Sequence, residues 1–349
     1  MAQADDNLNG RYSRQVRFPH IGEAGQEKLS AARVTLIGCG ALGSVIAETL
    51  VRAGVGFLRI VDRDFLEMSN LQRQSLFNED DVASGLPKAI AAAERLKKIN
   101  SGVEIEPVVA DVTSENIRGL VDGSDLILDG TDNFEIRFLI NDVSIATGTP
   151  WIYGGCLGAD GQMMVVLPGE TACLHCLMID GPPAPGTTET CDSFGILAPV
   201  INVVASFQSM EAIKLLSGNR AAVNRNLNVF EMWSNTVRQM DISGLRASVD
   251  CPACKGKQLD WLDGQKESRS VVLCGRNAVQ VSFANRATIA LDELAEKLSG
   301  VTDVKVNAFL VRFQVDEFLV TVFRDGRAII SGTDDLAVAK RVYAQYVGN

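Results

Sequence analysis

Four cysteines fall into two C-x-x-C pairs, Cys173-Leu-His-Cys176 and Cys251-Pro-Ala-Cys254. Each pair can present two thiolates to one ion, and together they complete a tetrahedral sulfur set suited to Zn2+. Four thiolates close the coordination sphere, so the expected role is structural rather than catalytic, with His175 outside the ligand set. A second constellation is the run "TLIGCGALGS" (35–44), where Gly38, Gly40 and Gly43 have the spacing G-x-G-x-x-G. Glycines so placed permit a tight turn and close backbone approach, with a phosphate resting on the N-terminus of the following helix. Asp62 closes the next apolar run, roughly 20 residues further on, where an acid suits a ribose hydroxyl.

The glycine fingerprint alone fits NAD or FAD as well as ATP. The residues around it favour ATP. "SNLQRQ" (69–74) offers Asn70 and Arg73, "GLPKA" supplies Lys88, and "GTDN" (130–133) places Asp132 just past a strand end. A triphosphate calls for arginine, lysine and a carboxylate that holds magnesium, whereas a dinucleotide needs no such set. Cys191, in "TCDSFGILAP", follows a proline-rich stretch and precedes a helical pattern. A thiol near a helix start can become nucleophilic, while Cys39, Cys156 and Cys274 lack that context and read as core. Two competing readings remain at this level: a nicotinamide-dependent Rossmann oxidoreductase, and a non-catalytic nucleotide-sensing scaffold.

The elements that must position these residues follow a regular alternation. "RVTLIG" (33–38), "FLRIVD" (57–62), "VEIEPVVAD" (103–111) and "DLILDG" (125–130) read as strands, with helical patterns over 41–53, 85–99 and 133–147. This predicts an α/β fold: a doubly wound, Rossmann-like, mostly parallel sheet. Beyond "WIYGG" (151–155), shorter runs such as "QMMVVL" continue it as antiparallel strands, and a helix runs from about Pro199 to Gly218. The expected domains are 1–255, carrying the nucleotide site and the zinc knuckles, a polar linker over 256–268, and a small α+β domain of hairpins and two helices over 269–349.

Composition sets the outer bounds. The chain has 349 residues, 46% of them hydrophobic, and a formal net charge of −10. That charge argues against nucleic acid or an anionic membrane as a partner. The polar start "MAQADDNLNG" does not read as a signal peptide, and "ILAPVINVVASF" is too short and proline-broken to span a bilayer. A soluble cytoplasmic protein is expected, its eight cysteines serving as thiols or metal ligands rather than disulfides.

"RYSRQ", "GCGALGS", "SNLQRQ", "GLPKA", "TDN", the two knuckles and "CDSFGILAPVINVVASFQSMEAIKLL" follow one another over about residues 8–255. In this combination the chain resembles the MoeB/ThiF family, bacterial relatives of ubiquitin-activating enzymes. The resemblance implies an adenylyltransferase that uses ATP and Mg2+ to adenylate the C-terminal glycine of a small β-grasp sulfur-carrier protein. That step prepares the carrier for thiocarboxylate formation, with a sulfur donor as a further partner. It also implies nucleotide contacts from Gly38, Gly40, Ala41, Gly43, Asp62 and Asp64. Ser69, Asn70, Leu71, Gln72 and Asn133 join them, with Arg73 and Lys88 on the phosphates and Asp132 on magnesium. Arg14 is implied to reach into the neighbouring subunit's site in a homodimer. Cys191 is implied to bond covalently to the carrier in some members and to be dispensable in others. Two departures stand out: Ala41 replaces a further glycine, and the C-terminal region has no C-x5-R rhodanese loop. Sulfur transfer from that region is therefore not expected; carrier docking and dimer stabilisation both remain open for it.

Overall fold

The computed structural model describes residues 10–182, 191–266, 270–273, 277–281 and 289–348. They divide into two compact units, the first running to residue 183 and resuming over Ile196–Lys266. In it, strands β1 (Arg33–Ile37), β2 (Phe57–Val61), β3 (Glu104–Val108), β4 (Leu126–Asp129), β5 (Trp151–Leu157), β6 (Asp160–Val166), β7 (Leu227–Glu231) and β8 (Thr236–Met240) form one sheet. Its order is β3-β2-β1-β4-β5-β6-β7-β8. Pairing is parallel from β3 through β5 and antiparallel from β5 through β8.

The central strands are apolar on both faces because both are covered. Alternate residues of one strand serve opposite cores. Leu36, Leu128 and Ile152 pack with the helices Ala41–Ala53, Lys88–Ile99 and Ala198–Leu216. Ile37, Ile127 and Trp151 pack on the other face with Phe134–Thr147 and the cysteine knuckles. The helix predicted over 85–99 begins later, at Lys88, because Pro87 sits in extended geometry at its N-cap and a separate short helix, Glu79–Ser84, ends at Gly85.

The expected linker over 256–268 is corrected by the structure, since the first unit extends to Lys266. Trp261 stacks on Phe138 with ring centroids 5.6 Å apart, and Leu262 is buried beside it in the same core. Their backbone N–H groups donate to Asp142 Oδ2 at 3.1 and 3.4 Å. The lysines and aspartates around this pair give the segment its polar average; the two apolar residues decide its place. Residues 267–269 lie outside the described residues.

The second unit contains the described residues 191–195 and those after 267. Strands β9 (Ser270–Leu273), β10 (Ala278–Val281), β11 (Val304–Val306), β12 (Leu310–Val315), β13 (Phe318–Phe323) and β14 (Ala328–Ser331) form an antiparallel sheet ordered β11-β12-β13-β14-β10-β9. The helices Leu291–Leu298 and Leu336–Tyr346 close its core through Leu294, Leu298, Ala339, Val342 and Tyr343.

Candidate active site

Gly38, Asp62 and Asp132 gather at the carboxyl ends of β1, β2 and β4. After Ile37 the chain turns at Gly38, whose φ of +87° favours glycine, and Gly40 caps the helix Ala41–Ala53. Among the described residues no side chain caps that helix, and an uncapped helix N-terminus suits an anion. A Cβ on Gly43 would overlap the Gly38 carbonyl oxygen, and one on Gly130 would overlap the same atom. A Cβ on Gly38 would lie 2.7 Å from the Gly130 carbonyl. Three glycines thus press the phosphate loop against the loop carrying Asp132, backbone to backbone. Gly43→Ala is expected to cost about 1–3 kcal/mol of stability, as the new methyl group pushes the Gly38 carbonyl away and opens the glycine turn. Thermal unfolding checks this, with weakened nucleotide binding as the companion readout.

Asp62 does more than wait for a ribose. Its Oδ2 accepts the Cys39 N–H at 2.6 Å and its Oδ1 the Asp64 N–H at 2.7 Å. It therefore ties the glycine loop to β2 while each oxygen keeps a free lone pair. Burial pushes its carboxyl above the usual range, opposed by the nearby Lys88 cation. Lys88 is 3% exposed, with Nζ 3.3 Å from Asp64 Oδ2. Sequence reasoning passed over Arg63. Its Nη1 donates to Asp111 Oδ1 at 2.9 Å, and the fields of Asp111, Asp64 and Asp132 together raise its pKa despite burial. No spacing rule marks Arg63; only β3 returning beside β2 delivers Asp111 to it.

The "SNLQRQ" segment divides its roles. Asn70 is buried at 2% exposure, and its Oδ1 accepts the Glu67 N–H at 3.1 Å, closing a capping box over the turn Met68–Asn70. Leu71 packs against the core, while Ser69 and Gln72 are exposed. Arg73 is half-buried, its Nη1 donating to the Ser69 carbonyl at 2.8 Å. Gln74, another residue the sequence did not single out, is buried beside Gly40, and among the described residues its Oε1 has no hydrogen-bond donor.

After β4, Asp132 is exposed, half-buried Asn133 caps the helix Phe134–Thr147 through the Glu135 N–H at 2.8 Å, and Ala41 is likewise half-buried in its helix. Arg14 stands apart. Its short helix is pinned by Gln15 Nε2 to the Ala53 carbonyl at 2.9 Å and by the Tyr12 hydroxyl to Asn100 Nδ2 at 2.7 Å. Ala53 is the far end of the helix that starts at the phosphate loop, ~20 Å away at 1.5 Å per residue. A cavity of about 360 Å³ lined by Lys28, Asp125, Pro150 and Arg220 lies at the opposite, amino-terminal ends of the strands and touches none of these residues.

The four knuckle cysteines meet beneath the other face. Sγ of Cys173 lies 3.8 Å from Cys176 and 3.7 Å from Cys251, and Cys176 lies 3.5 Å from Cys254. A tetrahedron with ~2.3 Å zinc–sulfur bonds has edges of about 3.8 Å, close to these three distances, and all four sulfurs lie within 4.8 Å of one another. Hydrogen bonds from Cys173 draw Cys176 and Cys251 below the usual thiol range, while the same contacts and burial push Cys173 and Cys254 above it. His175 packs edge-on to Phe138 at 4.6 Å, with Nε2 3.5 Å from Asp142 Oδ1. Cys39 is buried and Cys156 intermediate. Cys191 opens the helix Cys191–Phe194, which groups with the second unit rather than the first; the Cys191 side chain and Cys274 lie outside the described residues.

Residues 12–253 match the ThiF family. The chain belongs to that family. Among its ThiF relatives, the sulfur carrier protein ThiS adenylyltransferase of Bacillus subtilis strain 168 is 44% identical over 342 residues, covering 98% of this chain and 100% of that one. The SAMP-activating enzyme E1 of Haloferax volcanii is 37% identical, over 72% of this chain and 91% of its own. The ThiF fold recurs in the crystal structure of E. coli MccB + ATP, with a TM-score of 0.60 and 24% identity over 70% of this chain and 74% of that one. Among the described residues no ThiF helix is long and apolar enough to cross a membrane.

Proposed function

We infer that this chain is an adenylyltransferase that activates the C-terminus of a small ubiquitin-like sulfur-carrier protein with ATP. The observation that carries the reading is the end-to-end match to a relative of that activity, and the carboxyl-edge loops support it. An alternative oxidoreductase reading draws on the glycine fingerprint alone and leaves Lys88, Arg73 and Asp132 without work.

The carrier's C-terminal carboxylate attacks the α-phosphorus, the bond to the β-phosphate oxygen breaks, and pyrophosphate leaves with that electron pair. The attacking group is already ionised at neutral pH, so no general base is needed. Rate enhancement comes from alignment and charge. The N-terminus of the helix Ala41–Ala53 receives phosphate oxygens, with Arg73 and Lys88 as cations. Asp132 is an exposed carboxylate of the kind magnesium uses together with substrate phosphates. When bound, that ion would neutralise the triphosphate oxygens. The four cysteines hold zinc as a structural ion. Cys191 is proposed as an acceptor for the carrier after adenylation.

The test is exchange of labelled pyrophosphate into ATP that depends on added carrier; ATP binding without exchange under any carrier would overturn the reading. A homodimer belongs to the same proposal, because Arg14 is held at the far end of the helix Ala41–Ala53 from its own phosphate loop. Arg14→Ala and Asp132→Ala chains should each be inactive alone and should recover activity when mixed, since each mixed dimer rebuilds one intact site. Tagged chains establish that mixed dimers form; formed dimers without recovery would remove Arg14 from the partner's site.

A further inference from the structure

Asp129 and Arg137 are 0% and 5% exposed. A buried ion pair is poor value for stability, because well-packed apolar side chains of similar volume serve as well or better. What this pair holds is Thr131. Asp129 Oδ1 accepts the Thr131 N–H at 2.9 Å and its hydroxyl at 2.7 Å. Arg137 Nη2 donates to the Thr131 carbonyl at 2.7 Å and to the Gly154 carbonyl at 2.9 Å, while its Nε donates to Asp129 Oδ2 at 3.0 Å. All three polar groups of Thr131 are therefore committed to the pair. Gln208 Nε2, from the long helix, donates to the Asp129 carbonyl at 2.9 Å and steadies the strand end behind it.

Thr131 is the residue before Asp132, and the residue after it is fixed as well, since Asn133 caps the next helix. Gly130 in turn packs backbone to backbone against Gly38 and Gly43. Asp132 is exposed, yet the backbone on both sides of it is fixed, and the whole loop is referenced to the phosphate loop.

We propose that Arg137, acting with Asp129 through Thr131, is a positioning residue that aims the Asp132 carboxylate at the magnesium of bound ATP, a role that rests on reading the chain as an adenylating enzyme. Two variants separate aim from stability. Arg137→Lys keeps the charge but replaces the rigid planar fork that reaches all three acceptors by a point charge on a flexible stem. Thr131→Val keeps the shape and removes one hydrogen bond at a half-buried position. The ATP dissociation constant is measured by calorimetry with magnesium and with EDTA, alongside thermal unfolding and the exchange rate.

The wild type should bind ATP more tightly with magnesium than with EDTA. In Arg137→Lys that gain should shrink by about tenfold or more, the usual cost of losing a residue that orients a metal ligand, and kcat for exchange should fall by a similar factor. Affinity in EDTA should hold. Thr131→Val should move both readouts the same way, less far, at wild-type melting temperature. It carries the test alone if Arg137→Lys does not fold. An unchanged magnesium gain in Thr131→Val and in any folded Arg137→Lys, or its absence from the wild type, overturns the proposal. Failure of the adenylation reading is seen separately, as wild-type protein that binds magnesium-ATP but exchanges no pyrophosphate; the two binding measurements still decide the positioning role in that case.

Discussion

Asp132→Ala is expected to lower carrier-dependent pyrophosphate exchange by at least ~100-fold, the scale of removing one well-aimed stabilising group from a polar transition state. Stability should move by no more than about 0.5 kcal/mol, because the side chain is exposed and buries nothing. The contrast with its neighbour is instructive. Asp129 lies three residues earlier, fully buried against Arg137, and its removal leaves an uncompensated guanidinium. Two carboxylates three residues apart should thus separate cleanly, one costing activity at constant melting temperature and the other costing the fold. Steady-state exchange and thermal unfolding on the same preparations make the comparison. Wild-type exchange by Asp132→Ala would remove the magnesium role and with it much of the mechanism.

Loss of zinc is expected to have the largest effect on stability. Tetrathiolate zinc contributes roughly 10–16 kcal/mol of apparent folding free energy in small zinc modules, against a total of about 5–15 kcal/mol for a typical domain. The sulfurs join residues 173–176 to residues 251–254, so the ion closes the first unit across a long stretch of chain. Cys251→Ser, or a strong chelator, should loosen the segment around Trp261 and Leu262 and lower the melting temperature by well over 10 °C, as a several-kcal/mol loss requires. Metal analysis should give one zinc per chain. Zinc-free protein with an undiminished melting temperature would refute the structural role.

Several features were legible in the residues alone. The strand–glycine–helix unit, Asp62 at the next strand end and the two cysteine pairs are local patterns, set by spacing within one turn or one βαβ unit, and they appear where they were read. The long helix starting beside Pro199 was visible for the same reason. Short strands such as Val304–Val306 and Ala328–Ser331 were not, since few residues carry little periodicity and their pairing partners are distant in sequence. The segment around Trp261 read as a linker because composition averages over a window, while burial is decided residue by residue.

Tertiary structure alone decided the rest. The resemblance implied nucleotide contacts from Asn70 and Asn133, and only the structure shows that their amide oxygens also cap turns. Sequence reasoning passed over Arg63, Gln74, Asp129 and Arg137, because a residue that acts by pairing with a strand neighbour carries no motif of its own. Arg14 was implied to serve a neighbouring subunit, and its distance from its own glycine loop is a tertiary fact: the helix Ala41–Ala53 binds its segment at one end and starts at that loop at the other. Spacing along the chain determines which groups are available. Which of them meet depends on strand order, burial and rigid helix length, quantities that exist only once the sheet has formed.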